Sequence, residues 1–191
     1  SIYTNYLTVS KIQGWKIHIS PFLDDYEKVL EIVIKKLVEE KVTFKFVPYL
    51  SDYLSLSDKN TSPSQFGKYI TIYPHNVQQF KKLNSYFASV LLKFDGVRVP
   101  SDLNYKNSTI ISYRYGGFFP NVYMNNEADL DYKIMDGKGH LVEDNRKTFY
   151  KLLDNISPVY PVKENNLPQS VVIQGEIKKK KYKITNTRGA S

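Results

Sequence analysis

From Gly14 to Ser20 the chain alternates strictly, with Trp15, Ile17 and Ile19 on one face of an extended segment and Lys16, His18 and Ser20 on the other. Lys16 and His18 are thereby neighbours on one surface. Ser20-Pro21 predicts the start of a helix, with Asp24, Asp25 and Glu27 in its first turns and Lys35 and Lys36 near its end, as the helix dipole favours. Val29, Leu30, Val33, Leu37 and Val38 recur at the spacing of a helix face packed on a sheet. A second strand, Val42 to Val47, sets Lys45 between Phe44 and Phe46, which must point the other way. Residues 48–66 are rich in Ser, Asp, Asn and Pro and predict a loop. A third strand runs from Lys68 to Tyr73 and stops at Pro74, and a second amphipathic helix carries Val77, Phe80, Leu83, Phe87, Val90 and Leu91.

Beyond residue 96 the chain turns Gly-, Asn- and aromatic-rich. It contains one more alternating strand, Thr109 to Tyr115, which closes on Gly116-Gly117-Phe118, and short hairpins, one of them around Asp136-Gly137. This order predicts an α+β (mixed α/β) fold: a largely antiparallel twisted sheet with two amphipathic helices packed on it. Pro158, Pro161 and Pro168 predict a surface linker, and Glu176 to Thr185 is basic and strand-like. The expected division is a folded domain over 1–153, a linker over 154–170 and the beginning of a following domain over 171–191.

The 191 residues include no cysteine, so disulfides, thiolate nucleophiles and cysteine-ligated metals are excluded within the chain. No apolar run approaches the ~20 residues of a membrane helix, and the first residues lack the pattern of a signal peptide. The expectation is a cytoplasmic protein without membrane association. The formal charge of +8 suggests a polyanion partner until its distribution is examined. Residues 171–191 hold six basic residues against one acidic, whereas the first 170 hold 21 against 18. The body is therefore nearly balanced, which argues against a general nucleic-acid surface but allows a small cationic pocket.

The three histidines, at 18, 75 and 140, lack metal-ligand spacing, and no nucleophile elbow, Walker loop or dinucleotide fingerprint occurs. What remains is a set of basic side chains on strand faces: Lys16, His18, Lys45, Lys68 and Arg114. Taken singly, each is an ordinary solvated residue on a half-exposed strand. On the same reading Tyr73 and Tyr115 are rim aromatics, Asp144 and Arg146 form an exposed ion pair, and His75 and His140 sit at the surface.

Taken together, these segments resemble a known family. Gly14-Trp15-Lys16-Ile17-His18-Ile19-Ser20, Phe44-Lys45-Phe46, Gly67-Lys68-Tyr69-Ile70-Thr71-Ile72-Tyr73-Pro74, Pro100-Ser101-Asp102-Leu103 and Tyr113-Arg114-Tyr115-Gly116-Gly117-Phe118 follow the order seen in class III lanthipeptide synthetases. The stretch from about 12 to 150 looks like their N-terminal phosphoserine/phosphothreonine lyase domain. The Lys-x-His strand and the aromatic-flanked Lys resemble, more distantly, the bacterial effector phosphothreonine lyases. The tail from Gln174 to Ser191 looks like the first strand of the kinase domain that follows the lyase in such synthetases.

The resemblance implies β-elimination of phosphate from phosphoserine or phosphothreonine in a precursor peptide, without metal or cofactor, giving dehydroalanine or dehydrobutyrine for later ring formation. It implies Lys45 as the base, His18 as an imidazolium acid, Lys16 and Tyr73 in supporting catalytic roles, and Arg114, Lys68 and Tyr115 on phosphate or substrate. Lys45 can act only as the neutral amine, so its environment has to lower a reference pKa of about 10.4. Asp102, Asp144 and Arg146 match motif positions read as structural. The implied partners are the phosphorylated precursor peptide and the kinase and cyclase domains of the same polypeptide.

One departure stands out: family members usually carry an arginine four residues before the Gly of the Gly-Lys motif, where this chain has Pro63. Lys59 or Lys68 could supply charge there, though not a bidentate clamp. The alternative that this departure favours is a domain that binds phosphopeptides without eliminating. A basic nucleic-acid-binding domain is the remaining one, using the tail and exposed tyrosines.

Overall fold

The computed structural model describes residues 2–4, 11–119, 122–124, 130–144 and 150–161. Within them lie nine strands: β1 (Ile2–Thr4), β2 (Gln13–Ile19), β3 (Thr43–Phe46), β4 (Ile70–Tyr73), β5 (Leu103–Asn104), β6 (Ile111–Gly117), β7 (Val122–Met124), β8 (Leu130–Met135) and β9 (Leu141–Glu143). The helices are α1 (Leu23–Glu39), α2 (Leu50–Ser57) and α3 (Val77–Val90). Six strands form one sheet in the order β1-β3-β4-β2-β6-β5, every neighbouring pair antiparallel, and β7-β8-β9 form a second, smaller one.

The alternation of β2, β3, β4 and β6 sorts the main sheet into two chemically different faces. Ile17, Ile19, Phe44, Ile70, Ile72, Ile111 and Tyr113 share one core with Val29, Val33 and Leu37 of α1 and Phe80, Leu83 and Phe87 of α3. This is the packing that the apolar spacing of both helices predicts. Asn76 caps α3, its side chain accepting from the Gln79 backbone N–H at 2.8 Å. The opposite face carries the polar and charged residues.

Two stretches differ from the expectation. Residues 48–66 are not all loop, because α2 forms there, held by Tyr53. Its ring stacks on Tyr69 at 3.9 Å between centroids, and its hydroxyl donates to the Pro21 carbonyl at 2.8 Å. Tertiary packing overrides the weak local preference of a Ser- and Asp-rich segment. Residues 154–161, expected to begin a linker, pack instead on the core through Ile156, Val159 and Tyr160, and the Tyr160 ring lies 5.4 Å from both Tyr105 and Tyr113. The basic tail and the rest of the expected linker lie outside the described residues.

Candidate active site

Strand register builds the site. Lys45 on β3 stands opposite Thr71 on β4, Thr71 opposite His18 on β2, and His18 opposite Ser112 on β6. Two residues along, on the same face, Thr43 faces Tyr73 and Lys16 faces Arg114. Residues opposite one another on adjacent strands share a face, so both rows project from the side away from the helices. Phe44 belongs to the core on the other side, with Phe46 stacked on it at 6.2 Å and also bordering the cavity, and Thr43 and Thr71 are the strand neighbours of Lys45 on its own face.

His18 is 1% exposed, and its Nδ1 contacts Oδ2 of Asp102, itself 1% exposed. Asp102 also accepts from the Ser101 and Ser112 hydroxyls, each at 3.0 Å, and Lys68 Nζ lies 4.0 Å from its Oδ1. Burial pushes the His18 pKa down from 6.5 to about 4, against the pull of the Asp102 charge and hydrogen bond, and Lys68 and Lys16 push it further down. Burial would raise the Asp102 carboxyl, but its contact with His18 and the charge of Lys68, with a lesser part from Arg114, hold it well below the usual carboxylate range. Near pH 7 the ring is therefore neutral, with Nδ1–H donated to an ionised Asp102 and Nε2 left for the cavity. The resemblance implies an imidazolium acid, and burial leaves the ring neutral until a substrate charge favours its protonation.

A second buried carboxylate backs the arginine. Arg114 Nη2 donates to Asp144 Oδ1 at 3.0 Å, both side chains being almost wholly buried, and the Gly117 N–H points to Asp144 Oδ2 at 3.4 Å. Asp144 follows β9, so this pair ties the small sheet to the main one. The expected exposed pair of Asp144 with Arg146 is thus corrected: Asp144 is interior and its cation is Arg114, while Arg146 lies outside the described residues. Lys16 Nζ donates to the Gly117 carbonyl at 2.8 Å, and Lys68 Nζ to the Ser64 carbonyl at 2.6 Å.

These groups line a cavity of about 350 Å³. Lys16, His18, Lys45, Lys68 and Arg114 all reach it, and no Asp or Glu lines it among the described residues. Both carboxylates sit behind the cations instead of in the open space. Depth sorts the lining: His18, Thr71, Tyr73 and Arg114 are buried at the floor, and Gln65, Phe119 and Tyr132 are exposed at the mouth. Three lysines and an arginine converging around a buried imidazole can bind a compact dianion.

Of the seven side chains singled out from the sequence, six meet in this cavity. Tyr115 does not. Alternation puts it on the face opposite Arg114, its ring edge-on to Trp15 at 5.5 Å and its hydroxyl accepting from Gln13 Nε2 at 3.0 Å. Tyr73 is 3% exposed, not a rim residue, and its ring packs on Phe118 at 5.1 Å. His75, expected at the surface, is half-buried with Nε2 enclosed; His140 is exposed beside Asp136. Pro63 lies exposed in the turn that delivers Ser64 and Gln65 to the cavity, and Lys59 is exposed and outside the described lining. The residues that sequence reading underrated are Asp102 and Asp144. Pairing either with its cation needed the strand register, although the Pro100-Ser101-Asp102 motif flagged the first.

A family model described as the RamC N-terminal domain matches residues 3–169. A probable SapB synthase of Streptomyces coelicolor is 32% identical over 148 residues, which cover 76% of this chain and 16% of that protein. The chain thus spans about a sixth of the length of that relative.

Proposed function

Because the chain belongs to the RamC N-terminal domain family of lanthipeptide synthetases, we propose that its cavity eliminates phosphate from phosphoserine or phosphothreonine in a precursor peptide. The observation that carries this reading is the convergence of Lys16, His18, Lys45, Lys68 and Arg114 on one cavity with the carboxylates held behind them.

Elimination breaks the Cα–H and Cβ–O bonds and forms the Cα=Cβ bond, and the electron pair leaves with phosphate. It needs a base, a stabiliser for the enolate-like charge and an acid for the leaving oxygen. Lys45 as the neutral amine takes the α-proton. It stands two strands from His18, about 10 Å between main chains, so the two long side chains can approach a substrate from opposite ends. Arg114 and Lys68 hold the phosphate, and Lys16 polarises the carbonyl next to Cα. A dianion against Nε2 of His18 favours the charged ring, and Asp102 then stabilises the imidazolium that protonates the departing oxygen. Tyr73 donates a further hydrogen bond from the floor. On this reading the work is cytoplasmic, and the partners are a peptide and the other domains of a longer synthetase.

The absence of an arginine at Pro63 favours a second reading, a phosphopeptide-binding domain without turnover. One experiment separates the two: a phosphoserine peptide incubated with this chain and with Lys45→Ala and His18→Ala, with a thiol present to trap the alkene. Formation of the thiol adduct by the parent alone supports elimination, whereas binding without adduct supports the second reading.

A further inference from the structure

The cavity is graded along its depth, and the gradient speaks to the peptide as well as to the phosphate. Its volume of about 350 Å³ is about a dozen times the share of one water in the liquid, far more than a phosphoryl group fills. Basic side chains occupy the floor, where His18 is 1% and Arg114 4% exposed. The mouth is a different surface: Phe119 is 39% and Tyr132 37% exposed, and both line the cavity. They come from separate places, just past the end of β6 and the middle of β8, yet line the same cavity. Two large aromatic side chains, each more than a third exposed and lining a cationic pit, give its mouth an apolar shelf.

A phosphorylated side chain that puts its phosphate on the floor leaves its main chain at the mouth. The residue next to it in the peptide then lies level with Phe119 and Tyr132. Resting on the proposed elimination, we infer that these two aromatics select the neighbour of the phosphorylated residue, favouring peptides in which that neighbour is an apolar or aromatic side chain. Phe119 and Tyr132 are specificity-determining residues on this account, and neither takes part in proton transfer. The rival is electrostatic. With five basic side chains in the cavity and no described carboxylate lining it, an acidic neighbour would be the favoured one if charge governed the mouth as it governs the floor.

Phosphoserine peptides that differ only in the two residues flanking phosphoserine (Leu, Phe, Asp or Lys on either side) decide between them. Binding is measured by fluorescence anisotropy with the Lys45→Ala chain, which leaves the peptide intact, and elimination by mass spectrometry with the parent chain. A Leu or Phe neighbour should bind about fivefold to tenfold tighter than Asp. Phe119→Ala and Tyr132→Ala should each shrink that ratio to within about twofold, while Tyr132→Phe, which keeps the ring, should preserve it. Equal binding of all neighbours, or tighter binding of Asp, overturns the inference, as does a ratio untouched by both alanine variants. The two claims fail separately: a binding preference without mass loss sinks the elimination and leaves the shelf standing, and mass loss indifferent to the neighbour does the reverse.

Discussion

His18 and Ser112 face each other across β2 and β6 and both turn to the same atom, Oδ2 of Asp102. The carboxylate therefore fixes which ring nitrogen carries the proton and which one meets the cavity. Replacing Asp102 by Asn puts an amide in that position, which no longer stabilises a charged ring. Elimination by Asp102→Asn should fall at least about 10²-fold, and the fold should lose about 1–3 kcal/mol. Binding of a phosphopeptide should change little, so a kcat loss without a matching KM change checks the assignment. Ser112→Ala should have a smaller effect on both, since Asp102 keeps its other donors.

The Arg114–Asp144 pair makes a contrasting prediction about stability. Removing one partner of a buried pair strands the other charge, so Asp144→Ala should destabilise by about 3–5 kcal/mol in denaturant titrations. Inorganic phosphate should restore part of that loss, because it binds the folded state and pairs with Arg114. A variant no less stable than the parent would mean that Arg114 is supported from elsewhere.

The pH dependence of stability follows from His18. Its folded pKa lies below the unfolded value, so the unfolded chain takes up its proton first. The stability this provides is fully present above about pH 6.5 and is lost as pH falls from 6.5 to about 4, by roughly 3 kcal/mol. Asp102, also lowered, adds a further loss in the same direction below the usual carboxylate range. Equilibrium unfolding between pH 7 and pH 4 should show the first slope in the parent and a flatter curve in His18→Gln.

A fourth prediction concerns the frame around the site. Gly96 bridges to Pro21, and a Cβ placed on it would fall 2.2 Å from the Ser20 carbonyl oxygen, a backbone atom that cannot turn aside. Gly96→Ala should cost at least about 2 kcal/mol and lower the melting temperature. Gly139→Ala should act differently. Its Cβ would meet open space, but its φ of +84° strains an L-residue, so the loss should stay near 1 kcal/mol.

Much of this was legible in the chain itself. Period-two alternation gave Lys16 and His18 a common face, and period-3.6 spacing of Val29, Val33 and Leu37 matched the buried stripe of α1. The resemblance set Tyr115 on the substrate, but as the strand neighbour of Arg114 it is sent by alternation to the other side. What could not be read was anything set by contacts distant along the chain. Tyr53 makes α2 by stacking on Tyr69, and Asp144 finds Arg114 thirty residues away. The burial that neutralises His18 is likewise a property of the assembled sheet, since the sequence around it shows only a polar face.

The central claim is that the phosphate leaves by C–O cleavage. It is tested most directly by incubating a phosphoserine peptide with the chain in ¹⁸O-labelled water and weighing both products. Elimination predicts a peptide lighter by the elements of phosphoric acid and phosphate that has kept its original oxygens. A peptide returned to serine, with ¹⁸O in the phosphate, would make the reaction a hydrolysis at phosphorus and contradict the account.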